Sequence, residues 1–285
     1  MTGYEPQIRE LFLNKPECII NFPGWMLSGD QINTYRNIEG LAIVEMAGRD
    51  SVAAAVKCVE EDGFTDLLPT YVYTGTEYGN WESLLEAVKR LELRLGSNVK
   101  IHELLVFGSP LYWRALNGRF IDGILKRYGF YTPCIGCHLY LHSARIPLSV
   151  LLGEKPVITG ERESHDGGEK VNQISEAINA YGSIGRAFNV PILMPLRYIE
   201  DGKEIEETIG ISWEQDRDQL GCVLSGNYRN IEGKNTIKKE DVINFLEDFA
   251  LPVAEKIIGT YLDGSVPDHM EIAKKQLIDT GFNPV

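Results

Sequence analysis

Residues 41–56 read LAIVEMAGRDSVAAAV, and this stretch decides the fold. Leu41-Ala42-Ile43-Val44 is a short apolar run of the kind that forms a strand buried on both faces. Val52, Ala55 and Val56, continued by Val59, recur at helical spacing, and Gly63 supplies a stop. Between strand and helix lies a polar, glycine-containing corner, Met46–Ser51. The helix N-terminus it creates offers unpaired N–H groups and the positive end of a dipole to an anion. Gly48 permits close backbone approach. Asp50 can cap the helix or hold a magnesium ion, and Ser51 can donate its hydroxyl to a phosphate oxygen. From these residues alone the corner is either a plain βα turn or a phosphate pocket.

The alternation continues outward. Strand-like runs fall at 41–46, 67–73, 101–107, 156–159 and 190–194, separated by helical patterns at 51–62, 81–95, 114–128, 138–152 and 169–187. Short apolar strands alternating with amphipathic helices predict an α/β fold, a doubly wound, mostly parallel sheet covered on both faces. Residues 239–262 form a further helical pattern with Val242, Phe245, Leu246 and Phe249 on one side, and another helix follows Pro267. The expected organisation is an N-terminal extension (1–38), a central α/β domain (39–228) and a C-terminal helical segment (229–285). The terminal helices serve either for packing within the chain or for contact between two copies, as in a homodimer.

The chain has 285 residues and a formal net charge of −13, which argues against broad, non-specific nucleic-acid binding. No apolar stretch approaches the length needed to span a bilayer. The opening MTGYEPQIRE lacks the basic start and apolar core of a signal peptide, so a cytoplasmic location with no membrane partner is expected. Five cysteines are present, and an odd count in a reducing compartment does not read as a disulfide framework. Cys18 and Cys58 sit beside or among apolar residues and read as inert fillers.

Three segments in order carry a family resemblance. Met46-Ala47-Gly48-Arg49-Asp50-Ser51 resembles the S-G-G-x-D-S pyrophosphate loop of the PP-loop ATP pyrophosphatases, with Met and Ala in the first two places. Thr74-Gly75-Thr76-Glu77-Tyr78 resembles the T-G-x-E-[YF] segment of the PAPS-reductase branch. Gly160-Glu161-Arg162-Glu163-Ser164 resembles that branch's G-x-R-x-x-E-S loop, one residue shorter. The resemblance covers roughly residues 40–225. It implies a Rossmann-like, PP-loop type sheet that binds ATP with magnesium. Ala47, Gly48, Arg49, Asp50 and Ser51 would then hold the phosphates, Thr74 and Gly75 would lie near the adenine, and Gly160 would lie beside the nucleotide.

Cys134-Ile135-Gly136-Cys137 forms a CxxC just ahead of a helix, and Cys222 follows much later. A redox dithiol, a zinc site and an iron–sulfur site are the alternatives. Zinc would need a fourth ligand. His142 is one candidate; His138, adjacent to Cys137, is awkward. The pattern of a CxxC downstream of the pyrophosphate loop with a third late cysteine is similar to that of the cluster-dependent thiolases of tRNA and of cofactor synthesis. That resemblance implies Cys134, Cys137 and Cys222 around a 4Fe–4S cluster with one open iron, zinc being the runner-up.

The expected chemistry follows. An acceptor oxygen attacks the α-phosphorus of ATP, pyrophosphate leaves, and sulfide or another sulfur donor displaces AMP. Asp50 would bind magnesium, Arg162 would grip a phosphate or substrate anion, and His165 would carry a proton. The acceptor is a tRNA base or a small molecule. Residues 109–131, with Arg114, Arg119, Lys126 and Arg127 interleaved with Tyr112, Trp113, Phe120 and Tyr128, suit either RNA stacking or an amphipathic helix with inward aromatics. Competing readings are a sulfonucleotide reductase, which lacks its usual late cysteine here, a cluster-free ATP-dependent ligase, and a nucleotide sensor without catalysis. The altered loop supports the sensor.

Overall fold

The computed structural model describes residues 27–165, 168–214 and 218–282. Cys18 and most of the expected N-terminal extension lie outside the described residues, as do Asp166 and Gly167. Helix α1 (Gly29–Arg36) leads into β1 (Leu41–Glu45), α2 (Arg49–Asp62), β2 (Asp66–Val72), the short β3 (Glu77–Tyr78) and α3 (Ser83–Leu95). Strands β4 (Lys100–Ile101) and β5 (Leu105–Phe107) precede α4 (Pro110–Asn117), α5 (Ile121–Tyr128), α6 (Pro133–Ser143) and α7 (Ile146–Leu151). Next come β6 (Val157–Ile158), α8 (Ser175–Ala187), β7 (Ile192–Leu193), α9 (Gly202–Ile209) and β8 (Gly221–Cys222). The chain then forms α10 (Lys239–Phe245), α11 (Leu251–Leu262) and α12 (His269–Asp279).

The main sheet has the order β4-β2-β1-β6-β7, with β5 also paired to β2, and its strands run parallel. β1 is central and wholly buried. Its residues alternate between two cores: Leu41 and Ile43 face the helices α4–α8 and α10–α12, whereas Ala42 and Val44 face α2, α3 and α9. This is the doubly wound α/β architecture expected, with both faces covered. The order reverses beside β1, so the switch point lies between β1 and β6, where ligands of such sheets usually sit.

Local structure departs from the sequence reading in several places. The helix expected over 114–128 is two, because the chain turns at Gly118; α4 starts earlier, with Pro110 at its first position and Ser109 capping Tyr112 N. The pattern at 138–152 is likewise α6 and α7. Pro133 opens α6 and Thr132 caps it, so the CxxC lies inside the first helical turn rather than ahead of it. The run 101–107 holds two short strands, and α9 was not read at all. The C-terminal segment shares the core of the sheet: Phe245 meets Tyr128 and Phe130 edge-on, with ring centroids 5.7 and 5.9 Å apart.

The pattern over 239–262 is interrupted by one π turn, Leu246–Ala250. Pro252 explains it. Proline has no N–H for the carbonyl four residues back, and its ring crowds that carbonyl. The carbonyl concerned, Asp248 O, instead accepts Gln276 Nε2 from α12 at 2.6 Å. Among the described residues, no helix is long and apolar enough to cross a membrane.

Candidate functional site

A cavity of about 630 Å³ opens at the carboxyl ends of β1 and β2, where Glu45, Met46, Ala47, Val72 and Thr74 form part of its wall. Cys134, Cys137 and Cys222 all line it. The first two stand three residues apart in the first turn of α6, on one helical face. Cys222 arrives by a different route. Glu77 closes the Thr74–Gly75 turn, its carboxylate accepting Thr74 N at 2.7 Å and Gly75 N at 2.8 Å. The following strand β3 then pairs antiparallel with β8, Glu77 opposite Cys222 and Tyr78 opposite Gly221. A Cβ on Gly221 would lie 2.5 Å from Tyr78 Cζ, so glycine lets the exposed Tyr78 ring lie over β8, and a larger residue would make that ring move aside. In this protein the TGTEY segment is therefore the docking strand for the third cysteine.

Each thiol has a distinct neighbour. Trp113 Nε1–H donates to Cys137 Sγ at 3.3 Å, and Thr76 Oγ1 lies 3.2 Å from Cys222 Sγ. Cys134 Sγ donates to Leu224 O at 3.6 Å. Burial raises the Cys137 thiol above its usual range, with Trp113 opposing and the charge of Cys222 adding to the rise. Cys134 is raised by burial as well, and Cys222 adds to it. Cys58, by contrast, lies on the buried face of α2 and is pushed up to about 12 by burial and then by Asp62, as suits a packing residue.

The corner after β1 is closed on itself. Ser51 Oγ accepts both Ala47 N and Gly48 N at 3.0 Å and donates to Gly48 O at 2.7 Å. Asp50 Oδ1 meets Arg49 Nε at 2.9 Å, and Oδ2 meets Arg162 Nε at 3.0 Å. Arg162, expected to grip an anion, is instead fully buried. Its remaining nitrogens reach Ile199 O, Glu200 O and His165 Nδ1. Gly160 lies flat on the same corner: a Cβ there would be 2.7 Å from the carbonyl carbon of Asp50. His165, expected to carry a proton, is held between Arg162 and Gln173. Burial, followed by the charges of Lys170 and Arg162, pushes its pKa down to about 4. Of the expected nucleotide residues, Ala47 and Thr74 line the cavity; Gly48, Arg49, Asp50, Ser51, Gly75 and Gly160 lie outside its lining.

Sequence reasoning missed a buried charge network behind the cysteines. Arg145 Nη1 meets Glu45 Oε2 at 3.1 Å, and its other nitrogens reach Thr70. His142 lies between Glu45 and Glu161. Burial opposes its charge, but the two carboxylates outweigh this and push its pKa up to about 9. Glu161 is held well below the carboxylate range against its own burial, by His138 and His142. Lys170 and Arg229 add positive charge to the cavity wall. His138 and His142 carried a signal as candidate fourth zinc ligands, and Glu161 as a member of the GERES segment; Glu45 and Arg145 carried none.

The basic stretch 109–131 keeps its aromatics inward. Tyr112 and Tyr128 are buried, and Trp113 and Phe120 pack against the core. Arg127 bonds Thr280 O and pairs with Asp248. These rings are not laid out as an RNA-stacking face.

No family model matches the sequence. Over 242 residues the chain is 42% identical to the uncharacterized protein MJ0009 of Methanocaldococcus jannaschii, an alignment covering 82% of this chain and 85% of that protein. The described cavity, corner and cysteine wall are therefore features of a member of one family: this chain belongs to the family of the uncharacterized protein MJ0009.

Proposed function

We propose that the protein is an ATP-dependent sulfurtransferase that adenylates an acceptor oxygen and replaces it with sulfur, with Cys134, Cys137 and Cys222 holding a 4Fe–4S cluster. The observation that carries this reading is the convergence of three cysteines from distant segments on one cavity at the carboxyl edge of a doubly wound sheet. Three thiolates match the donor set of a cluster with one open iron, whereas a structural zinc needs a fourth ligand, and the candidate, His142, is held by Glu45 and Glu161 instead. When bound, a cluster with one open iron supplies a Lewis-acidic site that keeps a sulfur nucleophile deprotonated at neutral pH.

The chain's own groups support the rest. Ala47 and Thr74 border the cavity where a nucleotide would lie, and Lys170 and Arg229 supply charge for phosphates or an anionic acceptor, tRNA or small molecule. Asp50 and Arg162 brace the corner, so magnesium would be held by phosphate oxygens and water first. Binding pyrophosphate at the corner requires Ser51 Oγ to give up Ala47 N and Gly48 N. That closure favours a second reading, a nucleotide-binding protein without turnover.

The test is anaerobic purification with iron, acid-labile sulfide and zinc measured, alongside pyrophosphate release from ATP in the presence of sulfide. About four irons per chain, lost in Cys134→Ala and in Cys222→Ala, together with pyrophosphate release once bulk tRNA is added as the acceptor, are expected. Zinc or no metal in the intact chain would return the function to ligase or sensor.

A further inference from the structure

Helix α6 carries His138 and His142 one turn apart, and the loop after β6 brings Glu161 against both. Glu161 Oε1 lies 2.7 Å from His138 Nδ1 and 3.0 Å from His142 Nε2. All three ligand atoms fall within 4.8 Å of one another, the only such set among the described residues. Two imidazoles and a carboxylate are the donor set of a first-row divalent ion, three protein ligands leaving a further position open.

Hydrogen bonding alone would give similar distances, so the atoms facing away from the centre matter. His142 Nδ1 faces Glu45 Oε2 at 3.2 Å, and Glu45 is itself braced by Arg145. His138 Nε2 faces the Asn172 amide at 2.9 Å. Glu161 Oε2 accepts Gln173 Nε2 at 2.6 Å. His138 and Glu161 thus have hydrogen-bonded outer partners, and His142 has a carboxylate 3.2 Å behind it, close enough to turn into the hydrogen bond that orients a histidine at a metal centre. Asn172 serves either tautomer of His138 by turning its amide. The charge balance accommodates an ion. Arg145 answers Glu45, and the carboxylate of Glu161 is answered either by a proton on the histidines beside it or by an ion in that proton's place. Glu161 and His142 are wholly enclosed, whereas His138 lines the cavity, so an ion has a path to the centre along His138.

We propose that His138, His142 and Glu161 form a binding site for a divalent first-row transition ion, of the Zn2+ or Fe2+ class, distinct from the three thiols and open toward the cavity. The site does not depend on the cluster reading. With the ion bound, an oxygen entering from the cavity past His138 would be polarised beside the cysteine wall.

Chelator-treated protein titrated with Co2+ tests this by visible absorption. One equivalent with ligand-field bands and no sulfur-to-cobalt charge transfer is expected, and it survives in Cys134→Ser. His138→Ala, at the cavity edge, weakens that equivalent by at least about 100-fold, and Asn172→Ala weakens it by about 10-fold. Circular dichroism establishes that both variants are folded. If the only bound cobalt shows thiolate charge transfer, or if binding is unchanged in folded His138→Ala, the cluster is a hydrogen-bonded charge relay and the site is refuted. Iron content of the untreated chain reports on the cysteine reading separately.

Discussion

At the corner after β1, Ser51 Oγ holds two backbone N–H groups and both Asp50 oxygens carry a guanidinium. Across the cavity, the thiols of Cys134, Cys137 and Cys222 have only weak sulfur hydrogen bonds. Both regions border the same sheet edge, and both stand out in the sequence as chemistry. The difference teaches where such chemistry resides. A polar group whose partners come from its own chain stabilises the fold and must lose something to bind a ligand. A soft donor with poor partners costs the fold little and gains most from a metal. Stability and binding should therefore separate between the two regions.

The largest break in that comparison is Arg162→Met, which takes from Asp50 one of its two guanidiniums, leaving Arg49, and removes the donor to two backbone carbonyls. A loss of about 3 kcal/mol in urea unfolding is expected; a loss below about 1 kcal/mol would mean that the corner is not held by this pair. Gly221→Ala comes next. A methyl group against the exposed Tyr78 ring should cost about 0.5–1 kcal/mol as the ring turns aside, and iron content should fall modestly although every thiol is retained. Normal iron in a destabilised Gly221→Ala would show that Cys222 is positioned by something other than this strand pair.

The pH dependence of the corner is smaller and has a defined sign. His165 is neutral in the fold down to about 4, whereas in the unfolded chain it takes a proton below about 6.5. Its contribution is therefore intact above pH 6.5 and is lost as pH falls toward 4. His165→Gln should flatten the decline in melting temperature between pH 7 and pH 5 relative to the parent; parallel curves would exclude His165 as the source. The smallest effect belongs to the cysteine wall: Cys134→Ser in metal-free protein should stay within about 0.5 kcal/mol of the parent, even as metal content collapses in the loaded form.

The sheet was legible because β1 is an almost continuous apolar run and β2 a short, largely apolar one, and α2 and α3 repeat their apolar residues at helical spacing. The helix boundaries were less so. Gly118 and Pro133 carry turn and start signals, but an apolar period running through both masks them. Cys134 and Cys137 were legible as a pair by spacing and Cys222 as the third through the family resemblance; what was not legible is how it gets there, because β3 and β8 are two-residue strands too short to leave a periodicity. Arg162 misled because a sequence displays its charge but not Asp50 waiting opposite, 112 positions away. Glu45 and Arg145 were invisible for a related reason: an acid at a strand end and an arginine between two helices look like surface until the fold buries them together.

The π turn before Pro252 has a consequence for the order in which the protein is made. The carbonyl at Asp248 receives Gln276, which leaves the ribosome 28 residues later. The joint between α10 and α11, whose Phe245 and Phe249 belong to the core over the sheet, therefore gains this tie only once α12 has been made.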